Sequence, residues 1–142
     1  MNINYLTQNA LLPQLDFKAV SGWLDDVAKL HDRVPGDLNY IFCDDDTILD
    51  VNRKFLQHDY YTDIITFDYS KRHTVSGDMF ISLDTVASNA ENIGCEYQRE
   101  LLRVIVHGLL HLCGINDKGP GEREIMEAHE DSALAILPEV LR

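Results

Sequence analysis

Two histidines and an aspartate set the chemistry open to this sequence. His107 and His111 stand four residues apart and Asp117 six further on, in the run His107-Gly108-Leu109-Leu110-His111-Leu112-Cys113-Gly114-Ile115-Asn116-Asp117. On an α-helix, side chains at i and i+4 share one face, so both imidazoles can reach one divalent ion without bending the backbone. Gly114 can take the left-handed conformation that ends a helix, and the returning chain would then bring in Asp117 as a third ligand. Three protein ligands leave a fourth position open, the pattern of catalytic zinc sites rather than closed structural ones. The expected cofactor is one Zn2+ held by His107, His111 and Asp117.

Zinc peptidases of the His-Glu-x-x-His type carry a glutamate directly after the first histidine as general base. Here that residue is Gly108. A peptidase would lack its base, whereas chemistry that relies on the metal to acidify water, or on a nucleophile from the substrate, survives. Glycine inside a helix costs about 1 kcal/mol relative to alanine, so Gly108 predicts another backbone pressed against the helix. The plainer alternative is a buried helix: Leu101 to Leu112 is apolar almost all round, and a lone histidine in such a helix is usually a hydrogen-bonded core residue. Two at helical spacing, a glycine stop and an acidic residue favour the metal.

These residues resemble the bacterial rRNA maturation endoribonucleases called YbeY, whose signature is similar to His-Gly-x-Leu-His-Leu-x-Gly-Tyr-Asp-His. His107 through Gly114 match every fixed position of its first part. Upstream, Asn52, then Thr62-Asp63-Ile64-Ile65-Thr66-Phe67, then Gly77-Asp78-Met79-Phe80-Ile81 resemble further family segments in the same order. The likeness runs from about residue 38 to about residue 135. It implies a zinc-dependent, single-strand-specific endoribonuclease acting in 16S rRNA 3′-end maturation and ribosome quality control. The implied partners are ribosomal RNA and ribosomal or assembly proteins, without DNA. Thr62 and Asp63 would then lie near the metal cleft, although a core strand alone would explain the neighbouring Ile64, Ile65 and Phe67.

Two positions depart from the family. Its third ligand is a histidine where this chain has Asp117, and a carboxylate is an acceptable zinc ligand that adds negative charge. An arginine of the family, thought to serve catalysis, aligns with Leu56; Arg53, about one helical turn earlier, is a candidate substitute. Catalytic residues beyond the metal ligands are therefore left unassigned by the sequence. Two other readings remain: a metallohydrolase of another substrate class, and a ribosome assembly factor with a structural ion and little activity.

With 142 residues the chain has the size of one domain, 1–142. Hydrophobic residues make up 45% and charged residues 25%, as in soluble globular proteins. No apolar run approaches a membrane span, and Met1-Asn2-Ile3-Asn4-Tyr5 lacks the features of a secretory signal. Membrane association is not expected, and the cytoplasm is the expected location. Cys43, Cys95 and Cys113 are an odd number without paired spacing and read as small buried hydrophobes. Twelve Lys and Arg against 24 Asp and Glu give a net charge of −12, which excludes a nonspecific nucleic-acid binder working by phosphate neutralisation alone. Glu122, Glu124, Glu127, Glu130 and Asp131 read as a solvated helix face. Lys71-Arg72-His73 reads as a basic loop, and Arg53, Lys54 and His58 as a local patch. His129 is either a spare ligand or a surface residue, and His31 and His73 have no evident partner.

The elements that must position the site read as α/β: one mixed sheet of about four strands packed on helices, with the motif helix buried in the C-terminal half. Strands are expected at Ile3 to Leu6, Asp37 to Cys43, Thr62 to Tyr69 and Gly77 to Leu83. A helix capped by Asp16 carries Phe17, Val20, Leu24, Val27 and Leu30 and is stopped by Pro35-Gly36. Others open at Asp44 to Asp46 and run to about Gln57, run from Asp84 to Gly94, span Tyr97 to Cys113, and extend from Pro120 to about Leu137.

Overall fold

A computed structural model describes residues 2–57 and 62–142; His58 lies outside them. The elements alternate: β1 (Asn2–Gln8), α1 (Phe17–Leu30), β2 (Val34–Cys43), α2 (Asp45–Val51) continued by a wide π-type turn (Asn52–Leu56), β3 (Ile64–Asp68), β4 (Thr74–Ser82), α3 (Leu83–Ile93), α4 (Tyr97–Leu112) and α5 (Glu122–Ala135). The sheet order is β1-β2-β4-β3. The first three strands are parallel, and β3 runs antiparallel to β4. This is the expected mixed four-stranded α/β architecture.

Alternation along the strands sorts their side chains between two faces. Leu38, Tyr40 and Phe42 of β2, with Val75, Met79 and Ile81 of β4, enter the main core with α1 and α4. Cys43, Ile65 and the ring of Phe80 turn the other way and pack on Ile48 and Val51 of α2. Burying each large aliphatic side chain contributes about 1.5–3 kcal/mol, and α4 buries Leu101, Leu102, Val104, Ile105, Val106, Leu109, Leu110 and Leu112. Two buried polar anchors fix the helices. Tyr40 donates its hydroxyl to the Ile105 carbonyl at 2.8 Å, and Trp23 donates its indole N–H to the Ala133 carbonyl at 2.8 Å.

Several boundaries differ from the sequence reading for local reasons. Pro35-Gly36 does not stop α1; both belong to β2. Helix α1 closes itself, with Asp32 left-handed at φ 56° and Arg33 N–H bonded to the Ala28 carbonyl at 2.9 Å. Proline is tolerated in β2 because pairing with β1 starts only at Asp37, and the register to β4 shifts between Pro35 and Leu38. Ser82, not Asp84, caps α3. The Asp84 carboxylate instead accepts from Asp45 N–H at 3.0 Å, tying the start of α2 to α3. Helix α5 begins only after the left-handed Gly121. Cys43 and Cys113 are buried as expected, but Cys95 is only partly so.

Gly108 does meet close neighbours, but they are side chains rather than a backbone: a Cβ there would lie 2.9 Å from Ile64 Cδ1 and 2.9 Å from Met79 Sδ. A glycine pressed on backbone exists elsewhere, since a Cβ on Gly77 would lie 2.5 Å from the Phe67 carbonyl oxygen. Gly77→Ala is therefore expected to destabilise the fold by about 1–3 kcal/mol. Gly22, exposed in mid-α1 with open space around it, should behave oppositely, with Gly22→Ala gaining about 0.5–1 kcal/mol. Urea midpoints of the two variants check both signs.

Candidate metal centre

Helix α4 presents Arg103, His107 and His111 as one stripe at four-residue spacing. Past His111 the helix closes as expected: Gly114 is left-handed at φ 92°, Gly114 N–H bonds the His111 carbonyl at 2.9 Å and Ile115 N–H the Leu110 carbonyl at 3.1 Å. That reversal carries Asp117 back over the histidines. Its Oδ2 lies 3.2 Å from His107 Nε2 and 3.4 Å from His111 Nε2, and one donor atom from each residue lies within 4.8 Å of the others. Ligands arranged tetrahedrally at about 2.0–2.1 Å from zinc lie about 3.3 Å from one another. The donor set therefore fits a zinc-sized ion. The structure brings together all three residues singled out from the sequence.

The sequence reading missed what stands behind them. Glu130, taken above as part of a solvated face, is 2% exposed. Its Oε2 lies 2.5 Å from His107 Nδ1, and its Oε1 accepts from Arg103 Nη1 at 2.9 Å. Arg103 also donates Nε to Glu100 Oε1 at 2.8 Å and Nη2 to Glu100 Oε2, and Glu100 is itself buried. In the tautomer that donates Nδ1–H to Glu130, the Nε2 lone pair of His107 would be free to hold an ion, the usual carboxylate support for a metal-ligating histidine. A signal existed: Met126, Glu130, Ala133 and Leu134 are the buried stripe of α5, so Glu130 occupies a position that helical periodicity assigns to the core.

Burial sets the proton affinities. It holds His111 below the ordinary histidine value, with a smaller contribution from His107, which keeps the ring neutral and able to ligate. Burial alone would push Glu130 up, but hydrogen bonds from His107 and Arg103 outweigh it and hold the carboxyl below its usual value. Asp63 goes the other way, its carboxyl raised by burial with only partial relief from His107 and Arg103.

The donors open onto a cavity of about 410 Å³ whose wall includes Asn52, Leu56, Thr62, Asp63, Thr66 and Lys118. Thr62 and Asp63 thus do reach the cleft. Leu56 is 40% exposed and faces it, whereas Arg53 does not take the missing arginine's place. Arg53 lines a separate depression with Asp44, Asp46 and Asp50, because the π-type turn sends Asn52 and Leu56 to one side and Arg53 to the other. Lys54 pairs with Asp50 at 3.0 Å. Lys71-Arg72-His73 forms the β3–β4 turn, and Lys71 borders a different cavity. His129 is no ligand; its ring packs edge-on against His31, centroids 5.0 Å apart.

The purified protein is expected to hold about one divalent ion, to lose it in His107→Ala/His111→Ala and to weaken in Asp117→Ala but not Asp131→Ala, by elemental analysis. Retention should fall with acid as protons displace the ion, holding to somewhat below the ordinary histidine pKa of about 6.5. Asp63→Asn gives a second test, in the metal-free protein. A carboxyl with a raised folded-state pKa favours folding fully below its unfolded value and loses that contribution as pH rises. The amide should therefore raise the urea midpoint at pH 7 and give no gain below about pH 3.8.

A model of the family described as Endoribonuclease YbeY matches residues 7–138. The chain is 61% identical over 142 residues to a Parabacteroides distasonis protein named Endoribonuclease YbeY, covering 100% of both. A protein of the same name from Porphyromonas gingivalis is 46% identical over 139 residues, 98% of this chain and 92% of that one. The fold is similar to the solution structure of TM1509 from Thermotoga maritima, with TM-score 0.62, 25% identity and coverage of 94% and 89% of the two chains. Matched along nearly its whole length, the chain belongs to the Endoribonuclease YbeY family.

Proposed function

We propose that this protein is a zinc-dependent endoribonuclease that cleaves single-stranded RNA in the cytoplasm, acting in maturation of the 3′ end of 16S rRNA and in ribosome quality control alongside ribosomal or assembly proteins. The observation that carries the reading is the 61% identity, over the full length of both chains, to a protein named as an endoribonuclease. The open His107, His111 and Asp117 donor set supports it.

His107, His111 and Asp117 would hold the ion, which when bound supplies positive charge to polarise a phosphoryl oxygen. Glu130 fixes the His107 ring through Nδ1, and Arg103 fixes Glu130 in turn. Asp63 faces the cavity with a carboxyl whose proton affinity burial raises, which suits it to accept a proton from the attacking hydroxyl or water. Thr62, Thr66 and the Asn116 amide line the same wall and can orient phosphate oxygens. Unstacked RNA suits a cleft of this size better than a duplex. An assembly factor with little activity remains a distinct second reading, favoured by Leu56 in place of the family's arginine and by the net charge of −12.

Zinc-loaded protein should cleave single-stranded ribosomal RNA precursor sequence and stop with chelator, and Asp63→Asn should lower kcat by roughly 10²-fold or more. Because Leu56 is exposed to the cleft, Leu56→Arg should raise cleavage by adding a cation near developing phosphoryl charge. Absence of zinc-dependent cleavage, with normal precursor processing in cells lacking His107 and His111, would select the assembly-factor reading.

A further inference from the structure

A second cavity, of about 440 Å³, lies against the other side of the metal donors, with Asn89, Ile93, Arg103, Arg123 and Glu127 in its wall. It shares Asp63, His107 and Asp117 with the first cavity. The two follow one another along α4: the second touches Arg103 and Val104, the first His111 and Leu112. The eight residue steps from Arg103 to His111 span about 12 Å of helix, longer than one nucleotide, whose rise is about 3.4 Å even in a stacked duplex strand. A pocket for a terminal or mononucleotide group needs one such chamber, whereas here two adjoin at the donors.

Among the described residues, each chamber also carries one accessible cation beside its carboxylates. Lys118, exposed, makes no ion pair or hydrogen bond among the described residues and borders the first. Arg123 borders the second, and its pair with Glu127 at 3.1 Å is at the surface, its own side chain 81% exposed. A pair so solvated is worth about 0–1 kcal/mol, so a phosphate can replace Glu127 as partner. Arg103 cannot serve, being held by Glu100 and Glu130. Apolar surface for a base is present on both sides, from Leu56 in the first and Ile93, 62% exposed, in the second.

Resting on the RNA reading above, we infer that the single strand runs along α4 through both chambers. Lys118 and Arg123 take the phosphates flanking the bond at the metal donors on opposite sides. This two-sided hold confines cleavage to internal bonds, and it gives a strongly acidic protein cations where the strand passes.

The test measures binding of a fluorescent 2′-O-methyl single-stranded octamer by anisotropy, and cleavage of the matching RNA octamer, by zinc-loaded native protein and variants. Lys118→Ala and Arg123→Ala should each weaken binding roughly tenfold, lower the salt slope by about one and raise KM more than kcat falls, while Lys29→Ala on α1 changes nothing. A neutral methylphosphonate on one side of the cleaved bond should cancel the Lys118→Ala loss, and one on the other side the Arg123→Ala loss. The path is overturned if Arg123→Ala and Arg123→Glu bind as native, or if one methylphosphonate cancels both losses; native cleavage in that case leaves the nuclease reading standing. Binding with the expected dependences but without cleavage would instead retain the path and remove the nuclease reading. Neither binding nor cleavage would remove both.

Discussion

Burial of α4 is the constraint on which the rest depends. A helix apolar on nearly every side has to be wrapped, and here β3, β4, α1, α3 and α5 all pack on it. From Glu100 to Leu112, only the stripe of Arg103, His107 and His111 is not buried. The wrapping also keeps the ligands rigid, since the Tyr40 hydrogen bond to the Ile105 carbonyl and the side chains packed on Gly108 leave the helix little room to shift. Rigid first ligands are what a metal site needs if the third is to come from a loop.

Electrostatics around that stripe follow from the same burial. Glu100 and Glu130 are buried and Asp63 is largely so, and with Asp117 they place four carboxylates near the histidines against the single guanidinium of Arg103. Such an excess is unfavourable in a low-dielectric interior unless a cation joins it. Burial, with a smaller contribution from Glu100, raises the proton affinity of Asp63 in this setting. A divalent ion would relieve the excess, and Asp117, with a charge where the family's signature has a neutral histidine, increases the demand. The added charge would also make a bound ion a weaker Lewis acid.

The acidic surface and the family's RNA chemistry meet at the chambers beside the donors. Part of the acidity lies elsewhere, with Asp44, Asp46 and Asp50 clustered by Arg53 in a separate depression, although Asp63 and Asp117 line both chambers, Asp68 the first, and Glu127 and Glu130 the second. Within the two chambers at the donors, Lys118 and Arg123 remain available. Overall repulsion would slow encounter with RNA without preventing a local hold.

The sequence by itself determined whatever depends on local periodicity and backbone chemistry. It marked α4 and its imidazole pair, the glycine stop that proves left-handed at Gly114, the Asp16 cap of α1, and the alternating strands of the sheet. It could not determine which neighbour a polar group would choose. The Asp84 carboxylate left its own helix for Asp45, Glu130 turned from an apparent solvated face into the core behind His107, and Arg53 and Leu56 parted to opposite sides of a π-type turn. Pro35 became a strand residue because its missing N–H faces no partner strand. These outcomes depend on tertiary neighbours, and for Glu130 the reason is a dry interior in which an unpaired charge is costly enough to override local preference.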